Sequence, residues 1–107
     1  MEEINASNFQ EKVLDLTDGK LVLVDFSAEW CHPCTQLEPA LDAVHNEEDV
    51  TVYKIDVDEN QELTQSYGVD FFPTVIFFRD GEAISVMHGN LHKDMFIDRI
   101  FRLNSQV

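Results

Sequence analysis

Basic residues are scarce in this chain of 107 residues: 7 Lys and Arg stand against 21 Asp and Glu, a formal charge of −14. A field of that sign repels nucleic acid and anionic membrane surfaces, so neither is expected as a partner, whereas a protein with a basic docking face is. Long apolar runs are missing too. No stretch approaches the ~20 residues that span a bilayer. The acidic Met1-Glu2-Glu3 leads into no apolar segment, so neither a membrane anchor nor export is expected. Cysteine is limited to Cys31 and Cys34. Without further cysteines there is no secreted disulfide scaffold to build, and the pair fits a reducing compartment, which makes the cytoplasm the expected location. The same scarcity argues against structural zinc, which usually takes four ligands. Internal repeats, low-complexity segments and linkers are absent.

What is present suffices for a real core. At 44% hydrophobic and 26% charged residues the composition is that of an ordinary globular protein, and the length predicts a single domain over residues 1–107. Ile4 begins a short edge strand. Ser7 and Gln10 have the spacing of a capping box, which predicts a helix over about Asn8 to Leu16 with Phe9, Val13 and Leu16 buried, ended by Asp18-Gly19. Leu21 to Phe26 is almost continuously apolar, the pattern of a central strand covered on both faces. From Cys34 onward Leu37, Leu41 and Val44 recur at helical spacing, with Pro39 inside, so a kinked helix is expected. Val50 to Val57 reads as a strand and Asn60 to Tyr67 as a short helix anchored by Leu63 and Tyr67 and closed by Gly68. Thr74 to Phe78 and Ala83 to Met87 form a hairpin around Asp80-Gly81. Lys93 to Leu103 is a broad-faced amphipathic helix carrying Phe96, Ile100 and Leu103, with Ile97 and Phe101 beside them. This alternation predicts an α/β fold: a central mixed sheet of about five strands flanked by about four helices.

The chemistry concentrates in Trp30-Cys31-His32-Pro33-Cys34. Two thiols at this spacing can close a small disulfide ring in the first turn of a helix, and a strand leading into that helix would hold them there, so the stretch reads as a thiol–disulfide active site. Its rival, half of a metal site, lacks a second cysteine pair. Asp25 interrupts a strand otherwise suited to complete burial, where a carboxylate is costly unless it is paired or protonated. It is either functional or a partly solvated strand-end residue.

These residues, with Pro39, Lys54-Ile55-Asp56, Phe72-Pro73-Thr74 and Gly89, resemble the thioredoxin family in an ordered set covering nearly the whole chain. The resemblance implies the thioredoxin fold and a protein-disulfide oxidoreductase that needs no bound cofactor and no metal. Cys31 at a helix amino terminus would be the nucleophile, its thiolate stabilised by unpaired N–H groups and the helix dipole, and Cys34 the resolving thiol. Asp25 would lie beneath Cys34 and assist its proton transfers. Lys54 either tunes Asp25 or is a surface strand residue. Pro73 would form a cis peptide bond facing the cysteines and leave the Phe72 backbone to bond an extended peptide, with Trp30 as an exposed wall of that groove and Gly89 nearby. The partners implied are disulfide-containing client proteins and a flavoprotein of the thioredoxin-reductase type, and a monomer is expected.

The departures from the family pattern are specific. His32 stands where glycine is commonest; next to the thiolate an imidazolium would favour the reduced form and make the disulfide more oxidising, although a helix amino terminus disfavours a cation there. Alternatively His32 is an exposed residue of little consequence. Phe71 and Phe72 replace a small residue and an aliphatic one, so they either narrow the groove or add an apolar docking patch, unless one packs inward. Thr35 follows Cys34 where lysine is frequent, and Ser27 stands where an aromatic is common. The reading favoured is reduction of protein disulfides. Its alternatives are an oxidase or isomerase tuned by His32, and a binding module that holds a partner in the Trp30, Phe71, Phe72 and Pro73 groove without turnover.

Overall fold

The computed structural model describes residues 1–89 and 91–106. Its sheet contains β1 (Glu2–Ile4), β2 (Leu21–Ser27), β3 (Thr51–Asp56), β4 (Thr74–Arg79) and β5 (Glu82–His88), in the spatial order β1-β3-β2-β4-β5. The pairs β1–β3 and β3–β2 are parallel, while β2–β4 and β4–β5 are antiparallel. Three helices complete the frame: α1 (His32–Glu47), α2 (Gln61–Ser66) and α3 (Lys93–Asn104), together with a five-residue helical segment at Gln10–Leu14. The order of elements is the one expected from the sequence.

The apolar run of β2 is buried from end to end because helices cover both faces of the sheet. Successive side chains alternate between the two layers. Val22, Val24 and Phe26 join Phe9, Val13, Ile55, Ile76 and Phe78 on one face, where Leu63 and Tyr67 of the α2 region also pack. Leu21 and Leu23 join Leu37, Leu41 and Val44 of α1 and Phe96, Ile100 and Leu103 of α3 on the other. By the same alternation Asp25 belongs to the face beneath α1.

Several local expectations need correction. The first helix is shorter than Asn8 to Leu16 and has wide π geometry, closed by Asp15 N–H donating to the Gln10 carbonyl at 2.8 Å. Ser7 does not cap it. Asn5 Oδ1 accepts from the Ser7 and Asn8 amides while Asn8 Oδ1 accepts from the Asn5 amide, a reciprocal arrangement that the shorter Asn side chains close by themselves. α1 begins at His32, two residues before the expected start, and contains Pro39 on its exposed side. The buried face of α3 is narrower than expected, since Phe101 points into solvent. His45 near the end of α1 makes a contact no pattern announced: its Nδ1 accepts the Val52 amide at 3.0 Å.

The hairpin turn follows the expected chemistry. Arg79 pairs with Glu82 across a two-residue loop in which Asp80 has φ 50° and Gly81 φ 81°. Positive φ at both positions matches the twist of the flanking strands and suits Asp-Gly. A Cβ on residue 81 would also collide with the Leu14 carbonyl oxygen, which belongs to backbone and cannot swing aside. Gly81→Ala is therefore expected to cost about 2–3 kcal/mol, combining backbone strain with that collision. The urea midpoint should fall at unchanged slope, and an unshifted midpoint would contradict the close approach.

Candidate active site

The end of β2 and the start of α1 place the cysteines. Cys31 occupies the N-cap with extended backbone (φ −90°, ψ 101°), and its Sγ accepts the Cys34 amide at 3.3 Å. Cys34 lies in the first helical turn, and the two sulfurs are bonded to one another, with Cα atoms 5.3 Å apart. Pro33 suits this turn, where a missing N–H is no loss because the first amides of a helix have no intrahelical acceptor. His32 and Pro33 are exposed, whereas Cys31 and Cys34 retain 5% and 1% of their accessible surface. The amides and dipole of α1 thus converge on Cys31 Sγ, a setting that stabilises negative charge on sulfur.

Around this turn stand the aromatic residues. Trp30 is 65% exposed, yet it is not loose: its Nε1 donates to Asp58 Oδ2 at 2.8 Å and its ring meets Phe72 edge-on at 5.8 Å. Phe72 packs partly into the core and Phe71, 66% exposed, stands outward with its edge toward His88. Of the two phenylalanines, one therefore packs inward and one projects. The Phe72–Pro73 peptide bond is cis. The Pro73 carbonyl accepts the Gly89 amide at 3.2 Å, which ties the end of β5 to this loop. Gly89 and Pro33 line one small cleft, together with Gln36, Leu37, Leu91 and His92.

Within β2 lies a second, polar group. Asp25 is 0% exposed, and neither carboxylate oxygen has a hydrogen-bond partner. Its cross-strand neighbours are Lys54 on β3 and Val75 on β4. Lys54 does not turn its ammonium to Asp25. It donates instead to Glu38 Oε1 of α1 at 2.6 Å. Burial pushes the Asp25 carboxyl up from its ordinary 3.8 to about 7; the Glu38 charge pushes in the same direction and Lys54 opposes it. The Glu38 bond holds Lys54 above its ordinary range. A cleft of about 260 Å³ opens beside this pair, with Ser27, Ala28, Cys34 and Thr35 in its walls.

Glu38 and Asp58 are the site residues that sequence reasoning missed. Glu38 follows Cys34 by four residues and so shares its helical face, a signal masked by the attention that Leu37 and Leu41 draw. Asp58 lies between the strand read over Val50 to Val57 and the helix read from Asn60, where no spacing singles it out. Among the described residues no group of three or more His, Cys, Asp or Glu side chains is placed to hold a metal ion.

Comparison with known proteins gives a consistent result. The family model described as Thioredoxin matches residues 1–102. A thioredoxin of Chlamydia trachomatis serovar D is 40% identical over 92 residues, 85% of this chain and 90% of that protein. A thioredoxin of Rhodospirillum rubrum is 41% identical over 95 residues, 87% of this chain and 89% of that one. Among solved structures, a mutant thioredoxin from Halobacterium salinarum NRC-1 superposes with a TM-score of 0.88 at 37% identity, covering 99% of this chain and 92% of that one.

The raised Asp25 carboxyl has a consequence for stability. The folded chain holds this proton more tightly than the unfolded chain, so stability is highest below 3.8 and falls as pH rises from there through about 7. Asp25→Asn removes the ionisation but leaves a buried amide, so at pH 8 the variant is expected to be more stable than the parent by about 2 kcal/mol. The advantage should vanish on acidification and reverse near pH 4, because the shift from 3.8 to about 7 is worth about 4 kcal/mol across that range. Denaturant unfolding of both oxidised proteins at the two pH values measures it, and a pH-independent difference would contradict the shift.

Proposed function

The chain belongs to the thioredoxin family and is a dithiol–disulfide oxidoreductase of the thioredoxin fold acting on disulfide substrates, and from that premise we propose that it works as a reductant of protein disulfides, with Cys31 as the attacking thiol. The observation that carries this reading is the bonded Cys31–Cys34 pair at the amino terminus of α1, with Cys31 at the N-cap and Cys34 inside the helix. In the reduced protein, Cys31 thiolate attacks one sulfur of the client disulfide; the client S–S bond breaks and the other client sulfur departs as a thiolate that takes a proton from solvent. Cys34 then gives its proton to the Asp25 carboxylate as its sulfur attacks Cys31 Sγ. The mixed disulfide breaks, the second client thiolate leaves and is protonated, and the Cys31–Cys34 disulfide remains. Two electrons have passed from the dithiol to the client.

An Asp25 carboxyl held near 7 supports its part, because both protonation states are then accessible at neutral pH. Trp30, Phe71, Phe72, Pro73 and Gly89 form the client groove in this reading, supported by the outward set of Trp30 and Phe71 and by the Gly89–Pro73 bond. We assign the return of electrons to a flavoprotein of the thioredoxin-reductase type, and a partner face that is basic suits a charge of −14. A single domain fits the one continuous sheet. The cytoplasm fits the absence of cysteines beyond the redox pair, and a monomer is the simplest form that leaves the groove open.

Insulin-disulfide reduction driven by dithiothreitol tests the activity. Cys31→Ser should abolish it, and Cys34→Ser should stop turnover while trapping client on Cys31; a Cys34→Ser protein that turns over normally would reverse the assignment. Asp25→Asn should slow stopped-flow exchange at pH 7 by about a hundredfold or more, the usual contribution of a positioned proton acceptor. An unchanged rate would remove Asp25 from the reaction. His32, exposed at the first position of α1, would favour the thiolate when cationic. His32→Gly should accordingly make the reduction potential more negative by about 10–30 mV against glutathione. No shift, or a shift toward more oxidising values, would overturn the tuning role and with it the case for an oxidase or isomerase.

A further inference from the structure

Asp25, Lys54 and Glu38 act on one another, and their pairing is not the one strand register alone would produce. Lys54 is the direct cross-strand neighbour of Asp25, so the simplest arrangement is an ion pair between them. Instead its ammonium sits on Glu38, with both side chains about one-third exposed, and the Asp25 oxygens are left without a partner. Glu38 reaches this position because it is one helical turn beyond Cys34 on α1, over the sheet face to which Asp25 belongs. The other elements packed on this face offer Asp25 no charge: β4 places Val75 opposite it, and α3 contributes Phe96, Ile100 and Leu103. The remaining carboxylates nearby, Glu3, Glu29, Asp56 and Glu59, line the wall of the cleft that Glu38 and Lys54 share with Cys34.

We propose that Glu38 is a positioning residue of the exchange reaction, which holds the Lys54 ammonium in its own ion pair and so leaves Asp25 without a cationic partner. The consequence rests on the role assigned to Asp25 above. A carboxylate already paired with an ammonium is a poor acceptor for the Cys34 proton, because the cation stabilises its charged form. With Lys54 held by Glu38, Asp25 meets that proton in apolar surroundings that favour the neutral acid. Burial and the Glu38 charge both act in this direction, and Lys54 against it. Glu38 thus acts twice, through its own charge and through the cation it withholds, and the second effect is the larger claim because it makes the role depend on Lys54.

The test follows the Asp25 carboxyl directly. In the oxidised protein carrying 13C-labelled aspartate, with the resonance assigned by its loss in Asp25→Asn, Glu38→Gln should lower the Asp25 titration midpoint by about one pH unit, the usual effect of bringing an opposite charge close. In a Lys54→Met background the same Glu38→Gln change should shift the midpoint by less than half as much. The inflection of the pH–rate profile for client reduction should move down in parallel in the Lys54-containing protein. A midpoint that does not move, or that moves equally with and without Lys54, overturns the proposal even if Asp25→Asn is slow. A midpoint that moves while the rate profile stays fixed overturns the proton role of Asp25 instead, and removes Glu38 from the reaction with it. Matching circular dichroism and urea midpoints for Glu38→Gln and the parent separate these outcomes from a loss of fold.

Discussion

Asp25 is fixed in the middle of the sheet by backbone pairing to β3 on one side and β4 on the other, and neither of its oxygens finds a partner. A carboxyl in that position can be accommodated in only a few ways: by pairing, by protonation, or by moving to water. Movement is blocked because β2 is the strand on which both core layers are built, with Val22, Val24 and Phe26 facing one and Leu21 and Leu23 the other. Pairing is declined because the available ammonium is on Glu38. Protonation is what remains, and it puts a titratable proton in the interior at a pH where exchange reactions run. The stability lost on ionising it and its readiness to hold a proton near neutral pH are two descriptions of one burial.

The helix amino terminus works in the opposite electrostatic sense. α1 presents the positive end of its dipole to Cys31, lowering the cost of charge on that sulfur, while burial within β2 raises the cost of charge on Asp25. The two groups are thereby pushed toward complementary states, one anionic and one neutral. That separation suits a reaction in which one thiol must attack as an anion and the other must first surrender a proton. It arises from the junction of a buried strand and a helix start, so the fold and the site are built from the same few residues.

Much of this was readable from the sequence because the relevant signals are local. The apolar run of β2, the Asp80-Gly81 turn and the helical spacing of Leu37, Leu41 and Val44 each fix an element without reference to the rest of the chain. The CxxC spacing and the resemblance it anchors pointed to the reaction as well. What could not be read depends on contacts between distant segments. Lys54 belongs to Glu38 rather than to its cross-strand neighbour, a choice between two carboxylates that spacing along either element leaves open. A local miss has another cause: Ser7 has capping-box spacing, but its amide and hydroxyl are taken by Asn5 Oδ1. Phe101 lies beside the apolar stripe of α3, yet its ring is exposed.

Scarce positive charge gives the outer surface its character. Five of the seven basic side chains, Lys12, Lys20, Lys54, Lys93 and Arg102, are in ion pairs with carboxylates, and Arg79 and Arg99 bond to neutral oxygens. Acidic groups outnumber basic ones threefold, so most of the cations sit on a carboxylate, and the excess acid sets the long-range field. Near the cysteines that field coexists with two outward aromatic rings. The two act over different distances: charge orients an approaching partner across roughly a Debye length, about 10 Å, whereas Trp30 and Phe71 contribute only on contact. Asp58 joins the two scales. It is one of the carboxylates that make the field, and by accepting from Trp30 Nε1 it also holds the exposed indole in place, which leaves that ring less side-chain freedom to lose in any contact it makes.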